Sequence, residues 1–341
     1  MMSNDLCEEL ILDIFSRLPT KSLLRFRSVS KSLYACIGIP DFIRLHALRS
    51  PEKIMLIHNI PEGKESWRNT YTLHLEDQFP YNINNGITTP VAYHFGHFSI
   101  PGSCNGIVFL YENGKTINLR NPSIRRKVNV HYPPSWGDNF AVFEFGFGFD
   151  RVIDDYKILR ITTPTSFIYT LKTHTWREIA SPTTPFSHVN SYQCLFSESL
   201  HCTVKGSFNV FMWFFSTIDL PVPSWEATAV TIIKDSLAVF SSEPEHENSW
   251  IWLMRDYSNP ASWSVAFKLE LTMSHFEHAD RVFQLTANDD LLLYLLYDRI
   301  SVYNPQTQVK SRLVDLDDSS QIVHFIKCTE SLGLLGMGTS C

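Results

Sequence analysis

The rhythm of apolar and polar positions changes once along this chain, near residue 50. Before that point apolar residues recur at helical spacing: Leu6, Leu10, Ile11, Ile14, Phe15 and Leu18 fall on one broad face. Asp5 suits an N-cap, and Glu8 and Glu9 oppose the dipole of the first turn. Pro19 ends that helix. Thr20 is placed to cap a second, whose apolar residues are Leu23, Leu24 and Phe26. A third segment, Ser30 to Ile37, offers Leu33, Tyr34 and Ile37; Pro40 opens a fourth, with Phe42, Ile43 and Leu45 facing inward. Three or four short helices do not bury so much apolar side chain among themselves. The surplus is expected either to cap the rest of the chain or to meet the helices of a partner.

Beyond residue 53 the pattern is that of strands. Short alternating runs such as "IMLIHNI" from Ile54 and "YTLHLED" from Tyr71 are separated by Pro, Asn, Asp and Gly turns. One phrase recurs: an alternating apolar strand, a polar turn, then a strand that often holds Trp or a basic residue. It reads "INLRNPSIRRKV" from Ile117, "IYTLKTHTWREI" from Ile168, "IWLMRDYSNPASWSVAFKL" from Ile251 and "ISVYNPQTQVKSRL" from Ile300. "STIDLPVPSWEAT" from Ser216 is a poorer copy, and Ser216 to Asp235 reads as a compressed blade. The starts fall about fifty residues apart, except for one short interval before Ile251, and that spacing matches the period of kelch-type propeller blades. The pattern therefore predicts an α+β multidomain chain: a small all-α block at 1–48, a hinge at 49–53 containing Pro51, and a large all-β kelch-like propeller of about six blades at 54–341. "IVHFIKC" and "LGLLGMG" near the end are expected to supply strands that close against "IMLIHNI". A plain β-sandwich is the alternative fold.

Composition changes this picture little. The 341 residues are 44% hydrophobic and 19% charged, which is globular usage. Aromatic content, with Phe 24 and Tyr 13, favours a β-rich body. A formal charge of -6 offers no basic field for nucleic acid. The acidic start lacks the basic region of a signal peptide, and no apolar run is long enough to span a bilayer. The seven cysteines form no C-x-x-C pair and no framework. The expected setting is cytoplasmic or nuclear.

Candidate chemistry is sparse. There is no phosphate-binding glycine loop, no G-x-S-x-G elbow and no H-E-x-x-H. "HFEH" (275–278) and "HFGH" (94–97) lack the further ligands a metal site needs. "HC" at His201-Cys202 reads as an ordinary strand pair, and "EPEHENS" (243–249) as a solvated loop. The expectations are no catalytic residue, no metal and no cofactor. Asn121 and Pro122 suit a turn, Gly146 and Gly148 suit crowded strands, and Asp154 and Asp155 suit bonds to turn amides. Trp176, Trp252 and Trp263 are expected in packing.

The helical block, "LCEELILDIFSRLPTKSLLRFRSVSKSLYACIGIPDFIRLH", resembles the F-box in its plant form over its whole length. "GSCNGIVFLYENGKTINLRNPSIRRKV", "FGFGFDRVIDDYKILRI", "SLAVFSSEPEHENSWIWLMRDYSNPASWSVAFKL" and "ISVYNPQTQ" resemble steps of the kelch-like F-box-associated domain of plants. The resemblance implies the substrate-recognition subunit of a Skp–cullin–F-box ubiquitin ligase. Its partners would be a Skp-family adaptor, through it a cullin–RING assembly, and an unknown protein substrate, with neither nucleic acid nor membrane. The adaptor contacts it implies are Leu6, Glu9, Leu10, Ile14 and Leu18 in the first part of the block. In the second part they are Pro19, Leu23, Leu24, Arg27 and Val29. This sequence departs from the pattern at Cys7, where the family has Pro, at Ser28 and Ser30, where it has Cys, at Leu33, where it has Trp, and at Arg120, also for Trp. The alternatives are a non-degradative F-box scaffold, or a propeller enzyme or sugar-binding module with a helical cap.

Overall fold

The computed structural model describes residues 8–61, 67–75, 89–91, 98–112, 116–132, 144–162, 165–181, 189–196, 199–204, 207–212, 214–222, 227–242, 248–270, 279–285, 290–295, 299–312 and 321–336. It opens with α1 (Glu8–Phe15), α2 (Thr20–Val29), α3 (Lys31–Ile37) and α4 (Pro40–Arg49). Local chemistry sets the boundaries. Ser30 is extended and its Oγ accepts the Leu33 amide at 3.3 Å, capping α3. Pro40 begins α4 and Asp41 sits in its first turn, while His46 and Arg49 occupy its last. Asp5 lies outside the described residues. Thr20 departs from expectation: it is the first residue inside α2 and follows Pro19, which has no capping side chain. Its free amide is taken instead by the Glu330 carboxylate, at 2.9 Å.

Leu23 and Ile37 have no exposed surface and Phe42 has 2%. The fourth fully enclosed member of that cluster is Leu332, from the opposite end of the chain, with Ile124 and Leu335 packed at its edge. Of the five residues expected as a hinge, Ser50 and Pro51 alone lie between α4 and the first strand.

The strands are β1 (Glu52–Pro61), β2 (Trp67–Leu75), β3 (Thr89–Val91), β4 (Phe98–Cys104), β5 (Ile107–Glu112), β6 (Thr116–Asn121), β7 (Arg126–Val130) and β8 (Glu144–Asp150). Next come β9 (Asp155–Ile161), β10 (Thr165–Thr170), β11 (Thr175–Ala180), β12 (Val189–Phe196), β13 (Ser199–Val204), β14 (Ser207–Met212), β15 (Phe214–Ile218) and β16 (Ala227–Ile233). The last are β17 (Ser236–Ser242), β18 (Asn248–Met254), β19 (Trp263–Glu270), β20 (Ala279–Leu285), β21 (Leu291–Leu295), β22 (Arg299–Asn304), β23 (Val309–Arg312) and β24 (Gln321–Thr329). They form six four-stranded sheets, five of them from consecutive strands: β4–β7, β8–β11, β12–β15, β16–β19 and β20–β23. The sixth has the order β24-β1-β2-β3, so the last strand fills the first position of the first blade. Along the chain a helical block is followed by a β-propeller. The stretch that looked compressed costs no strand, since β15 and β16 each belong to a complete sheet. "IVHFIKC" lies in β24 beside "IMLIHNI" in β1, as expected, but "LGLLGMG" adds no strand among its described residues. Its described part, 332–336, is a turn closed by the Leu335 amide on the Leu332 carbonyl at 3.0 Å.

The chain divides into two compact units. One holds residues 1–55, 96–132 and 326–341: the helices, the β4–β7 sheet and the C-terminal segment. The other holds 56–95 and 133–325. In the second, Ala229, Phe240, Ile251, Leu291, Leu293 and Tyr303 form a core that joins the β16–β19 sheet to the β20–β23 sheet. Trp252 and Trp263 pack around a neighbouring cluster, with their indole N–H groups donating to Ser241 Oγ and the Asp219 carbonyl, each at 3.0 Å. Trp176 packs on Tyr169, ring centroids 5.0 Å apart.

The recurring phrase corresponds to one turn used repeatedly. Asn121, Asp150 and Asn304 each end a strand and accept two amides of the following turn through a side-chain oxygen. Four residues on, Arg125, Asp154 and Gln308 have φ of 55°, 52° and 57°. Asp155 accepts the Tyr156 and Lys172 amides at 2.8 Å each, as expected, whereas the Asp154 carboxylate meets the Lys172 ammonium at 3.1 Å. Asp150 also pairs with the Lys157 ammonium; burial would raise its carboxyl, but that ion pair and two amides hold it below its ordinary range. Gly146 and Gly148 are buried in β8.

Candidate functional site

The helices distribute their apolar residues between two destinations. Leu12, Phe15 and Leu18 from α1 and its end lean on the buried cluster. Leu10 and Ile14, one turn apart on the other face of α1, are 54% and 50% exposed. In α2, Leu23 points into the core, while Phe26 and Val29 are 38% and 77% exposed. α1 and α2 meet where Phe15 stacks on Phe26, centroids 5.1 Å apart and planes 13° from parallel.

The residues expected to contact an adaptor therefore separate. Leu10, Ile14, Pro19 and Val29 are exposed. Leu18, Leu24 and Arg27 are half-buried. Leu23 has no exposed surface and sits in the core of the block. Leu6 and Cys7 lie outside the described residues, and Glu9 lies in α1 with its side chain outside them. Phe26, named among the apolar residues of α2 but not among its contacts, joins the exposed set through its three-residue spacing from Val29.

Polar contacts hold these helices in register. The Arg27 guanidinium lies 3.9 Å from the centroid of the Tyr34 ring, and its Nε donates to the Tyr34 carbonyl at 3.2 Å, tying α2 to α3. Arg49 Nη1 at the end of α4 reaches the Asp13 carboxylate and Ser16 Oγ, each at 2.5 Å, tying α4 to α1. Hydrogen bonds from Arg17 and then Arg49 lower the Asp13 pKa. His46 is 1% exposed, and its Nε2–H donates to the Leu18 carbonyl at 3.0 Å. Burial lowers its pKa, against the opposing effects of that carbonyl and of Glu330. Leu33, where the resembling family has Trp, is half-buried against the same cluster.

The other sequence candidates lead elsewhere. "HFEH" and "HFGH" both lie outside the described residues. His201 and Cys202 sit in β13, in register with Cys194 and Gln193 of β12. Among the described residues no group of three His, Cys, Asp or Glu side chains is placed to hold a metal ion, and no helix is long and apolar enough to cross a membrane. Cys328 is buried, which pushes its thiol up to about 12 and leaves it protonated.

Fold and site together define a class: a small helical block with an exposed apolar face, joined to a β-propeller. The chain belongs to the F-box proteins that carry an F-box associated beta propeller domain: that domain matches residues 64–321, and the F-box domain matches residues 3–45. It is similar to F-box protein CPR1 of Arabidopsis thaliana, at 24% identity over 77% of this chain and 72% of that protein. An F-box/kelch-repeat protein of the same plant is 30% identical over 45% of this chain and 44% of its own length. Among solved structures, TolB from Acinetobacter baumannii aligns with 88% of this chain and 73% of its own at 12% identity, with a TM-score of 0.49.

Proposed function

We propose that this chain is the substrate-recognition subunit of a Skp–cullin–F-box ubiquitin ligase in the cytoplasm or nucleus. Residues 1–48 dock a Skp-family adaptor, and residues 54–341 hold a target protein. The observation that carries the reading is the exposure of Leu10 and Ile14 on one face of α1, next to a core that Leu23, Ile37 and Phe42 already fill. Completing the burial of each is worth about 1 kcal/mol, roughly half of full aliphatic burial. Phe26 and Val29 are exposed on α2 as well, and a few such anchors dominate a helical interface. The chain makes no bond itself. It acts by holding a target lysine near a charged ubiquitin-conjugating enzyme, so that transfer becomes effectively intramolecular.

The test is co-purification of the full chain with a Skp-family adaptor and a cullin. Recovery of both supports the ligase role, and recovery of the adaptor alone replaces it with a scaffold role. Failure to recover either rejects the docking face.

A further inference from the structure

The core of the helical block is finished by residues 330–335, which also cap one of its helices. Thr20 opens α2 with an amide that has no carbonyl partner inside the helix, and Pro19 before it brings no capping side chain. Glu330 supplies the acceptor across 310 residues of sequence, at 2.9 Å. The other carboxylate oxygen of Glu330 pairs with the Lys53 ammonium; the two side chains are 20% and 17% exposed. Two residues on, Leu332 is fully enclosed with Leu23, Ile37 and Phe42.

This segment is itself clamped from the opposite side. Asn121 Nδ2 donates to the Ser331 carbonyl at 2.9 Å and the Gly333 carbonyl at 2.7 Å. Ser331 Oγ accepts the Gly333 amide at 2.8 Å. Leu334 is buried at a φ of 65°, a conformation costly for a branched side chain, and the clamp holds it there. So the segment has its own rigid support on the β4–β7 sheet, and it delivers a carboxylate and a leucine to α2.

We propose that Glu330 is a positioning residue for adaptor docking: by capping α2 it holds the helix that presents Phe26 and Val29, so adaptor affinity depends on a residue outside the helical block. The inference rests on the docking function proposed above. A negative charge at a helix start also opposes its dipole, which adds to the cap.

The experiment uses the full chain and a purified Skp-family adaptor. Binding is measured by calorimetry for the wild type, Glu330→Ala, Glu330→Gln and Lys53→Met, with hydrogen exchange of each free chain. Glu330→Ala should weaken adaptor binding about tenfold, in keeping with the usual worth of a helix cap. It should speed exchange at the α2 amides while leaving the strands β8 to β23 unchanged. Glu330→Gln keeps an oxygen for the Thr20 amide and should rescue binding to within about threefold, and Lys53→Met should bind within about threefold as well. Equal affinity of Glu330→Ala and wild type overturns the positioning role while leaving docking intact. A general rise in exchange across the strands overturns it too, by showing that Glu330 serves overall stability. A wild type that binds no adaptor overturns the docking reading and this inference with it.

Discussion

A Cβ added to Gly106 would lie 2.4 Å from the Cβ of Ser331 and 2.5 Å from the Thr329 carbonyl. Gly106 also has a φ of 73° and follows Asn105 at 49°, so the pair forms the two-residue turn from β4 to β5. The glycine of the "SCNG" phrase thus answers two demands, a left-handed turn and the close passage of the C-terminal segment. Gly106→Ala should destabilise the fold by about 2 kcal/mol or more. Gly336→Ala is the control: its φ is 90°, but nothing lies within 4 Å of the added atom, so it should cost only about 1 kcal/mol. Urea midpoints of the two variants check the order, and equal losses would show that the contact with Ser331 contributes nothing.

Asn121 and Asn304 make the same turn contacts but differ in what the amide nitrogen holds. Asn121 is fully buried and binds two carbonyls of the C-terminal segment; Asn304 donates at 2.6 Å to the Asp290 carboxylate in a half-buried site. Asn121→Ala strands two buried carbonyls, an expected loss of about 2–4 kcal/mol. Asn304→Ala should cost about 1 kcal/mol. Asn121→Asp keeps the turn acceptors but places a carboxylate oxygen against those carbonyls, so it should not recover the loss. Thermal unfolding of the three variants provides the comparison.

What could be read from the chain and what could not divide along contact range. The turn at Asn121-Pro122, the acceptor role of Asp155 and the bond from Trp252 to Ser241 depend on neighbours in sequence or on one blade, and the pattern reveals them. The cap on α2 does not follow from local pattern. Thr20 reads as a capping residue, yet the acceptor comes from Glu330. Likewise "LGLLGMG" has the apolar density of a strand, but Leu332 is consumed by a helical core. Leu23 shows the limit within the block: helical spacing places it on an apolar face without saying whether that face turns inward or outward. The paired faces of α1, with Leu10 and Ile14 opposite Leu12 and Phe15, were legible only as a single broad stripe.

Stability should fall as the medium is acidified through the range of His46. Burial sets the folded pKa of this histidine below its ordinary 6.5, so the unfolded chain takes up a proton first. The contribution is complete above 6.5 and declines as pH drops toward the folded value. His74, also buried with a lowered pKa, adds to the same slope. Glu330 acts lower down: burial raises its pKa, but Lys53 and the Thr20 amide outweigh burial and leave it below 4.5. Its contribution is therefore present above 4.5 and is lost on further acidification. Urea midpoints of wild type and His46→Gln, compared from about pH 8 to about pH 5.5, isolate the His46 share. The variant keeps a donor for Leu18 without a titrating group and should show the shallower slope; identical slopes would remove His46 from the account.

The exposed and buried faces of the helical block can be separated by substitution. Leu10→Asp with Ile14→Asp changes two residues that are half exposed, so it should alter stability by no more than about 1 kcal/mol. The same pair places two carboxylates where an adaptor would have to desolvate them, and binding should disappear. Leu23→Ala does the reverse: it opens a cavity beside Ile37, Phe42 and Leu332, an expected loss of about 2–5 kcal/mol. Well below its unfolding midpoint that variant should still bind, because Leu23 presents no surface to a partner. Circular dichroism melts and adaptor pull-down on both variants settle the matter. Retained binding by the Leu10, Ile14 double variant would move the docking surface off α1, and unchanged stability of Leu23→Ala would refute the enclosed core.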